Sequence, residues 1–253
     1  MPNQVITLLV LTYLAMLALL LKVASTPALF RYYTLCKGIT STLFVVIACC
    51  CSSRLPGFPG GGPYPVWPLI VALLLAAGGD IAIGLANNRH GAANASHSKS
   101  GMIGVGFFMV AHIFYLLWFS FFIPGVHPAM FILPVIALFV MRYITRSPHF
   151  HFSRVTRIAA TVYYIVVSLM FSVGIYAAVS IGNPARRLLY SSFRAFFPNS
   201  VLLATGVTCF LFSDALMLLL YFYTHRRCPA WVRPVNLFTY YLAQLLLALS
   251  ILL

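Results

Sequence analysis

Apolar stretches close to the length of a bilayer crossing recur along this chain, and they leave it little choice of fold. About 20 apolar residues in a helix cover the hydrocarbon core of a membrane. Stretches of that kind run over 4–21, 35–51, 66–86, 102–122, 126–141, 158–180, 200–223 and 236–253. In lipid, every backbone N–H and C=O must find a partner within its own helix or in a closed barrel. Apolar runs of this length satisfy that demand as helices. The sequence therefore predicts an all-α fold, a polytopic transmembrane bundle of about eight helices, with 1–253 as a single transmembrane helical domain and no soluble domain. Composition agrees: 62% of the 253 residues are hydrophobic and only 7% charged, with a mean hydropathy of +0.98. Soluble globular chains do not have this balance. The first stretch has no basic run before it and no small-residue cleavage pattern after it, so it is expected to stay as a helix.

Sixteen Lys and Arg stand against two acids, a formal charge of +14. The basic residues fall almost entirely in the loops. The loops after the odd-numbered spans hold Lys22, Arg31, Arg89, Lys99, Arg142, Arg146, Arg154, Arg157, Arg226, Arg227 and Arg233. The other side holds Arg54, Arg186, Arg187 and Arg194. The positive-inside rule makes the first set cytoplasmic and sends both termini to the opposite side. These charges fix topology and meet anionic headgroups of the lipid bilayer. No basic stripe with stacking aromatics occurs, so nucleic acid is not an expected partner.

Loops and cysteines add little chemistry. Residues 52–65 are rich in Pro and Gly and read as a stiff turn. Residues 87–101 are polar and include Asn94-Ala95-Ser96, a glycosylation pattern that the orientation places on the cytoplasmic side. Residues 142–157, with four Arg beside His149 and His151, read as a headgroup-facing surface. Cys36, Cys49, Cys50, Cys51 and Cys209 lie in or at spans and read as small apolar filler. The alternative for Cys49–Cys51 is palmitoylation at a membrane edge.

The two acids are where the sequence points to function. Asp80 lies in LLLAAGGDIAIGLA and Asp214 in TCFLFSDALMLLLYF, both deep inside spans. An ionisable group there is costly unless paired or hydrated, so its default reading is functional. At ~1.5 Å per residue, Asp80 comes out ~9 Å from the cytoplasmic end of its span, Asp214 ~13 Å, His112 ~15 Å, Tyr241 ~8 Å and Lys37 ~5 Å. Five polar residues on five helices thus share one half of the bilayer, as residues around a cavity open to one leaflet would. Each alone has a plainer role. A carboxylate or Gln244 can join helices by hydrogen bonds. Tyr240 can sit in an interfacial belt, Lys37 can snorkel, and His112 can be a satisfied interior histidine. The constellation favours a site. Asp80, Asp214 and His112 would make a minimal zinc set, but no other His lies within a span, and no metal is expected. Two buried carboxyls that cannot easily both ionise divide labour: one stays protonated as a general acid, the other stabilises a cation or activates water. A weak echo pairs Asp80 with His112 and Tyr115 in spans 3–4 and Asp214 with Tyr240, Tyr241 and Gln244 in spans 7–8. It fits a parallel repeat of four helices, and chance similarity between apolar hairpins accounts for it at least as well.

These residues resemble a known family. GGD at 78–80 followed by GFFMVAHIFYLLWF at 106–119 is similar to the G-D … F-x-x-A-H-x-x-Y signature of the YhhN-like lysoplasmalogenases. GVTCFLFSDALMLLLYF at 206–222 resembles the family's G-x-x-x-F-x-x-S-D motif, and TYYLAQLL at 239–246 its T-Y-Y-x-A-Q motif. Lys37-Gly38 stands where the family has Lys-Pro, which puts a helix kink there in doubt. The 87–101 loop is longer than usual. The resemblance implies a membrane hydrolase that needs no cofactor. Its substrate would be a lysophospholipid, a lysoplasmalogen whose vinyl ether is cleaved to a fatty aldehyde and glycerophospho-ethanolamine or -choline. It implies Asp80 and Asp214 as the catalytic residues, without saying which donates the proton. His112, Tyr115, Ser213, Tyr240, Tyr241 and Gln244 would orient them or bind substrate, and Lys37 would meet the substrate phosphate. The host membrane would be the endoplasmic reticulum in a eukaryote or the cytoplasmic membrane in a bacterium. Two other classes stand beside this one. A proton- or cation-coupled carrier would use the acids as a relay, with Gly78-Gly79 as a helix break. A non-catalytic lipid-binding protein would use them only structurally.

Overall fold

A computed structural model describes residues 3–53, 65–90, 98–150, 152–182, 193–223 and 229–252. Among them run eight α-helices: α1 Asn3–Ser25, α2 Tyr33–Ser52, α3 Trp67–His90, α4 Lys99–Ser120, α5 Ile132–Ile144, α6 Arg154–Gly182, α7 Phe193–Phe222 and α8 Val232–Leu249. Six of them, α1–α4, α6 and α7, are long and apolar enough to cross a membrane, so this is a multi-pass membrane protein. The other two expected spans exist as helices with different characters. With its leading 3-10 turn, α5 makes only a short apolar segment, Pro128–Ile144. One face of α8 is polar, with Arg233, Asn236, Tyr240 and Gln244, because it lines the site described below.

Helix ends depart from the sequence reading where polar residues join a helix. Asn87–His90 extend α3, and α4 starts at Lys99, where Ser98 caps it by accepting from the Gly101 N–H at 3.0 Å. The loop between them is therefore shorter than 87–101. α2 passes through Gly38 without interruption. Asn94-Ala95-Ser96, Arg54, Arg186, Arg187, Arg226, Arg227, Cys228, His151 and most of the 52–65 turn lie outside the described residues.

Six helices close a ring. In order they are α2, α3, α4, α6, α7 and α8, each packed on the next, with α8 returning to α2. Outside the ring, α1 lies against α2 and α8, and α5 lies against α6. The packing order thus repeats after four helices: α1–α4, then α5–α8, joined by α4 on α6 and α8 on α2. Within this repeat α3 and α7 hold corresponding places, on opposite sides of the ring.

Glycines set the closest approaches. A Cβ on Gly79 would stand 3.1 Å from the Gly104 carbonyl oxygen, and one on Gly104 would stand 3.1 Å from the Gly79 oxygen and 2.6 Å from Ile83 Cγ1. Small residues let helices in lipid approach backbone to backbone, and here they seat α4 beside Asp80. α3 runs continuously through Gly78 and Gly79, so these glycines serve packing rather than a helix break. Away from the basic loops the ring interior fills with rings. Trp118 meets Phe122 edge-on at 5.1 Å, and Tyr115 meets Phe210 at 5.8 Å.

Candidate active site

Helical spacing brings the polar residues to one place. Positions three, four and seven apart share a helix face. On α3 these are Asp80, Ile83 and Asn87; on α7, Asp214, Met217 and Tyr221; on α8, Arg233, Asn236, Leu237 and Tyr240; on α2, Tyr33 and Lys37. All of them line one cavity of about 510 Å³, its open mouth included, together with Phe108 of α4 and Tyr163 of α6. Every ring helix contributes. Tyr33, Asn87, Tyr221 and Arg233 sit near the helix ends that lead into the basic loops, so the mouth faces that end of the bundle.

Asp80 is enclosed by donors. Its Oδ1 lies 2.9 Å from the Lys37 ammonium, and the two residues are 0% and 5% exposed. Ser41 and Tyr240 donate to Oδ2 at 2.6 and 2.9 Å. The Tyr241 hydroxyl stands 3.3 Å from Oδ2 and 3.0 Å from Ser41 Oγ. Tyr13 of α1 donates to the Tyr241 carbonyl at 2.6 Å and braces this corner. A cation and a shell of hydroxyls are the surroundings of a charged carboxylate.

Asp214 has a different setting. His112 Nε2 lies 3.5 Å from its Oδ2, and the Tyr163 hydroxyl donates to its Oδ1 at 3.3 Å. Tyr164 donates to its backbone carbonyl at 2.7 Å. His112 Nδ1 lies 2.5 Å from the Phe108 carbonyl oxygen. A carbonyl only accepts, so Nδ1 carries a proton. Nε2 is then the ring nitrogen left facing the Asp214 carboxylate. The imidazole is held edge-on by Phe210 at 5.0 Å and Tyr163 at 5.4 Å.

The two carboxylates are framed alike but with different chemistry. Each meets a residue of the preceding helix: Lys37 of α2 for Asp80, Tyr163 of α6 for Asp214. Each also meets a residue of the last helix of the other repeat: Tyr240 of α8 for Asp80, His112 of α4 for Asp214.

The remaining expected residues take up clear positions. Ser213 lines the cavity, but its hydroxyl donates to the Asn236 carbonyl at 3.2 Å and accepts from Asn236 Nδ2 at 3.0 Å. Tyr115 donates to Gln244 Oε1 at 2.6 Å; both are fully buried and join α4 to α8 about one turn below the site. Lys37 is the largest departure. Sequence reading places it near the headgroups, free for a phosphate, whereas its ammonium is engaged by Asp80. Among the described residues no three His, Cys, Asp or Glu side chains gather as a metal centre would need, and Asp80 does not join His112 and Asp214. Ser41, Asn87, Tyr163, Tyr221 and Asn236 escaped sequence reasoning. The signal that finds three of them is spacing: Ser41 is one turn from Lys37, Asn87 two turns from Asp80, and Tyr221 two turns from Asp214.

No curated protein and no solved structure matches this chain. A family model does, over residues 19–251, which takes in both carboxylates and every helix of the ring. The chain belongs to the YhhN family, the family of the lysoplasmalogenases.

Proposed function

We propose that the protein is a membrane-embedded hydrolase that cleaves the vinyl ether of lysoplasmalogens, with Asp214 and His112 as the proton source and Asp80 as the stabilising anion. The observation that carries this reading is the unequal setting of two carboxylates on one cavity: Lys37 and hydroxyls around Asp80, an imidazole and a phenol beside Asp214. A vinyl ether hydrolyses when an acid protonates its β-carbon. The double bond's electron pair forms the new C–H bond, leaving an oxocarbenium ion at the carbon that bears oxygen. Water adds to that carbon and loses a proton. The hemiacetal then collapses to a fatty aldehyde and a free glycerol hydroxyl, consuming one water overall. The Asp214–His112 pair has the proton to give and can recover it from the attacking water. Asp80, held as an anion, faces the developing cation and, through the Ser41 and Tyr240 hydroxyls, orients the water. Phe108, Met217, Leu220 and Leu237 supply apolar wall for the alkenyl chain.

A carrier would favour helices broken at the depth of its ion site. α3 and α7 run unbroken past Asp80 and Asp214. By charge bias, the mouth opens on the cytoplasmic face of the host membrane.

The test is aldehyde release from a lysoplasmenyl-ethanolamine by the purified protein in detergent. Asp80→Asn and Asp214→Asn should each lose activity by about 100- to 10,000-fold while remaining folded. Activity surviving in either variant removes that carboxylate from the reaction. A folded parent that releases no aldehyde ends the hydrolase reading.

A further inference from the structure

The cavity has a second polar tier at its mouth that the chemistry above does not use. Asn87, Tyr221 and Arg233 each lie seven residues from a residue of the inner tier, Asp80, Asp214 and Tyr240 respectively. Seven residues are two helical turns, about 10 Å. Among the described residues Arg233 has no carboxylate partner: the two acidic side chains are engaged by Lys37 and His112. Its guanidinium rests 5.2 Å over the Phe30 ring, which stacks on Tyr33 at 4.9 Å. The cation is therefore held at the rim with its N–H groups unclaimed by any acid. Asn87 is 4% exposed, lines the cavity and donates through Nδ2 to the Tyr221 hydroxyl at 3.1 Å. Its Oδ1 is buried without a hydrogen-bond partner. A buried amide oxygen left in that state is a costly arrangement unless a ligand N–H or O–H completes it.

We propose that this outer tier is a phosphoethanolamine site, in which Arg233 and Tyr221 donate to the phosphodiester and Asn87 Oδ1 accepts from the primary ammonium. The inference rests on the lysoplasmalogen reading for what occupies the inner tier. The spacing fits it. Nine bonds separate the ether oxygen of such a lipid from its headgroup nitrogen, about 11 Å when extended, against about 10 Å between the tiers. The chemistry also separates headgroups. A primary ammonium has three N–H donors, and a quaternary choline nitrogen has none, so choline leaves Asn87 Oδ1 unpaired. Arg233 takes the phosphate role that Lys37, bound to Asp80, does not fill.

Uncleavable ligands test this apart from catalysis. Binding to the purified protein in detergent is measured for saturated 1-O-alkyl lysophosphoethanolamine, its choline counterpart, 1-O-alkylglycerol and inorganic phosphate. The parent should prefer ethanolamine to choline by about tenfold. Asn87→Leu should erase that preference, and Asn87→Asp should retain it. Arg233→Gln should weaken both phospholipids about tenfold or more and leave alkylglycerol unchanged. Arg233→Lys, with an unaltered unfolding temperature, should keep part of the binding. Equal or reversed headgroup preference in the parent overturns the ammonium assignment. Equal weakening of alkylglycerol by Arg233→Gln overturns the phosphate assignment. Inorganic phosphate binding tightly by itself, with the same dependence on Arg233, assigns the tier to a free anion instead. Because none of these ligands can be hydrolysed, their binding stands or falls separately from aldehyde release.

Discussion

A single side chain changes meaning once its neighbours are known, and Lys37 shows it. In sequence it is a lysine near a helix start, free to snorkel. In the fold it is the counter-charge of Asp80 at 2.9 Å, with both residues buried. Breaking a buried pair from one side leaves an uncompensated charge, at a cost of about 3–5 kcal/mol. Lys37→Met should lower stability by about that much in denaturant titrations in mixed micelles. Adding Asp80→Asn should recover most of it, since the amide still meets the Ser41 and Tyr240 hydroxyls. If the double variant is as unstable as Lys37→Met, the pair is not what holds α2 to α3. His112 is the counter-example: its depth in sequence groups it with the two acids, and in the fold it stands 3.5 Å from Asp214.

At the scale of the helix, hydropathy alone locates eight elements but misjudges their ends and two of their characters. Transfer energy says where an apolar run is long enough, not where capping stops it. Hence α3 continues over polar Asn87–His90 and α4 starts at its Ser98 cap. α8 owes its place to lining a cavity, and its polar face is the cause of its modest hydropathy. In sequence Gly78-Gly79 read as a helix break, and it is the close approach of Gly79 to Gly104 that makes them a packing surface. Gly104→Leu should therefore push α4 from α3, with a loss of about 1–3 kcal/mol of stability. It should also reduce activity without touching a site residue. Gly106→Leu is the control, since a side chain there meets nothing within 4 Å. Equal effects of the two would show that the close approach of α3 and α4 is unimportant.

For the whole molecule, the legible part was the inventory and the hidden part was the arrangement. The depth argument gathers Lys37, Asp80, His112, Asp214 and Tyr241 in one half of the bilayer from the sequence alone. Which acid meets which cation depends on ring order, and ring order is a property of tertiary packing. The four-helix repeat sets that order and hands each carboxylate one partner from its own repeat and one from the other. The joint between the repeats is the exposed stretch Pro124–His127. Nicking the chain there should give two fragments, α1–α4 and α5–α8, that recover activity only when expressed together. Either fragment active alone would contradict the shared framing of the carboxylates. Such a pair is a logical AND gate built from one polypeptide: fused to two candidate neighbours in a membrane, the halves would report their meeting by making a lipid product.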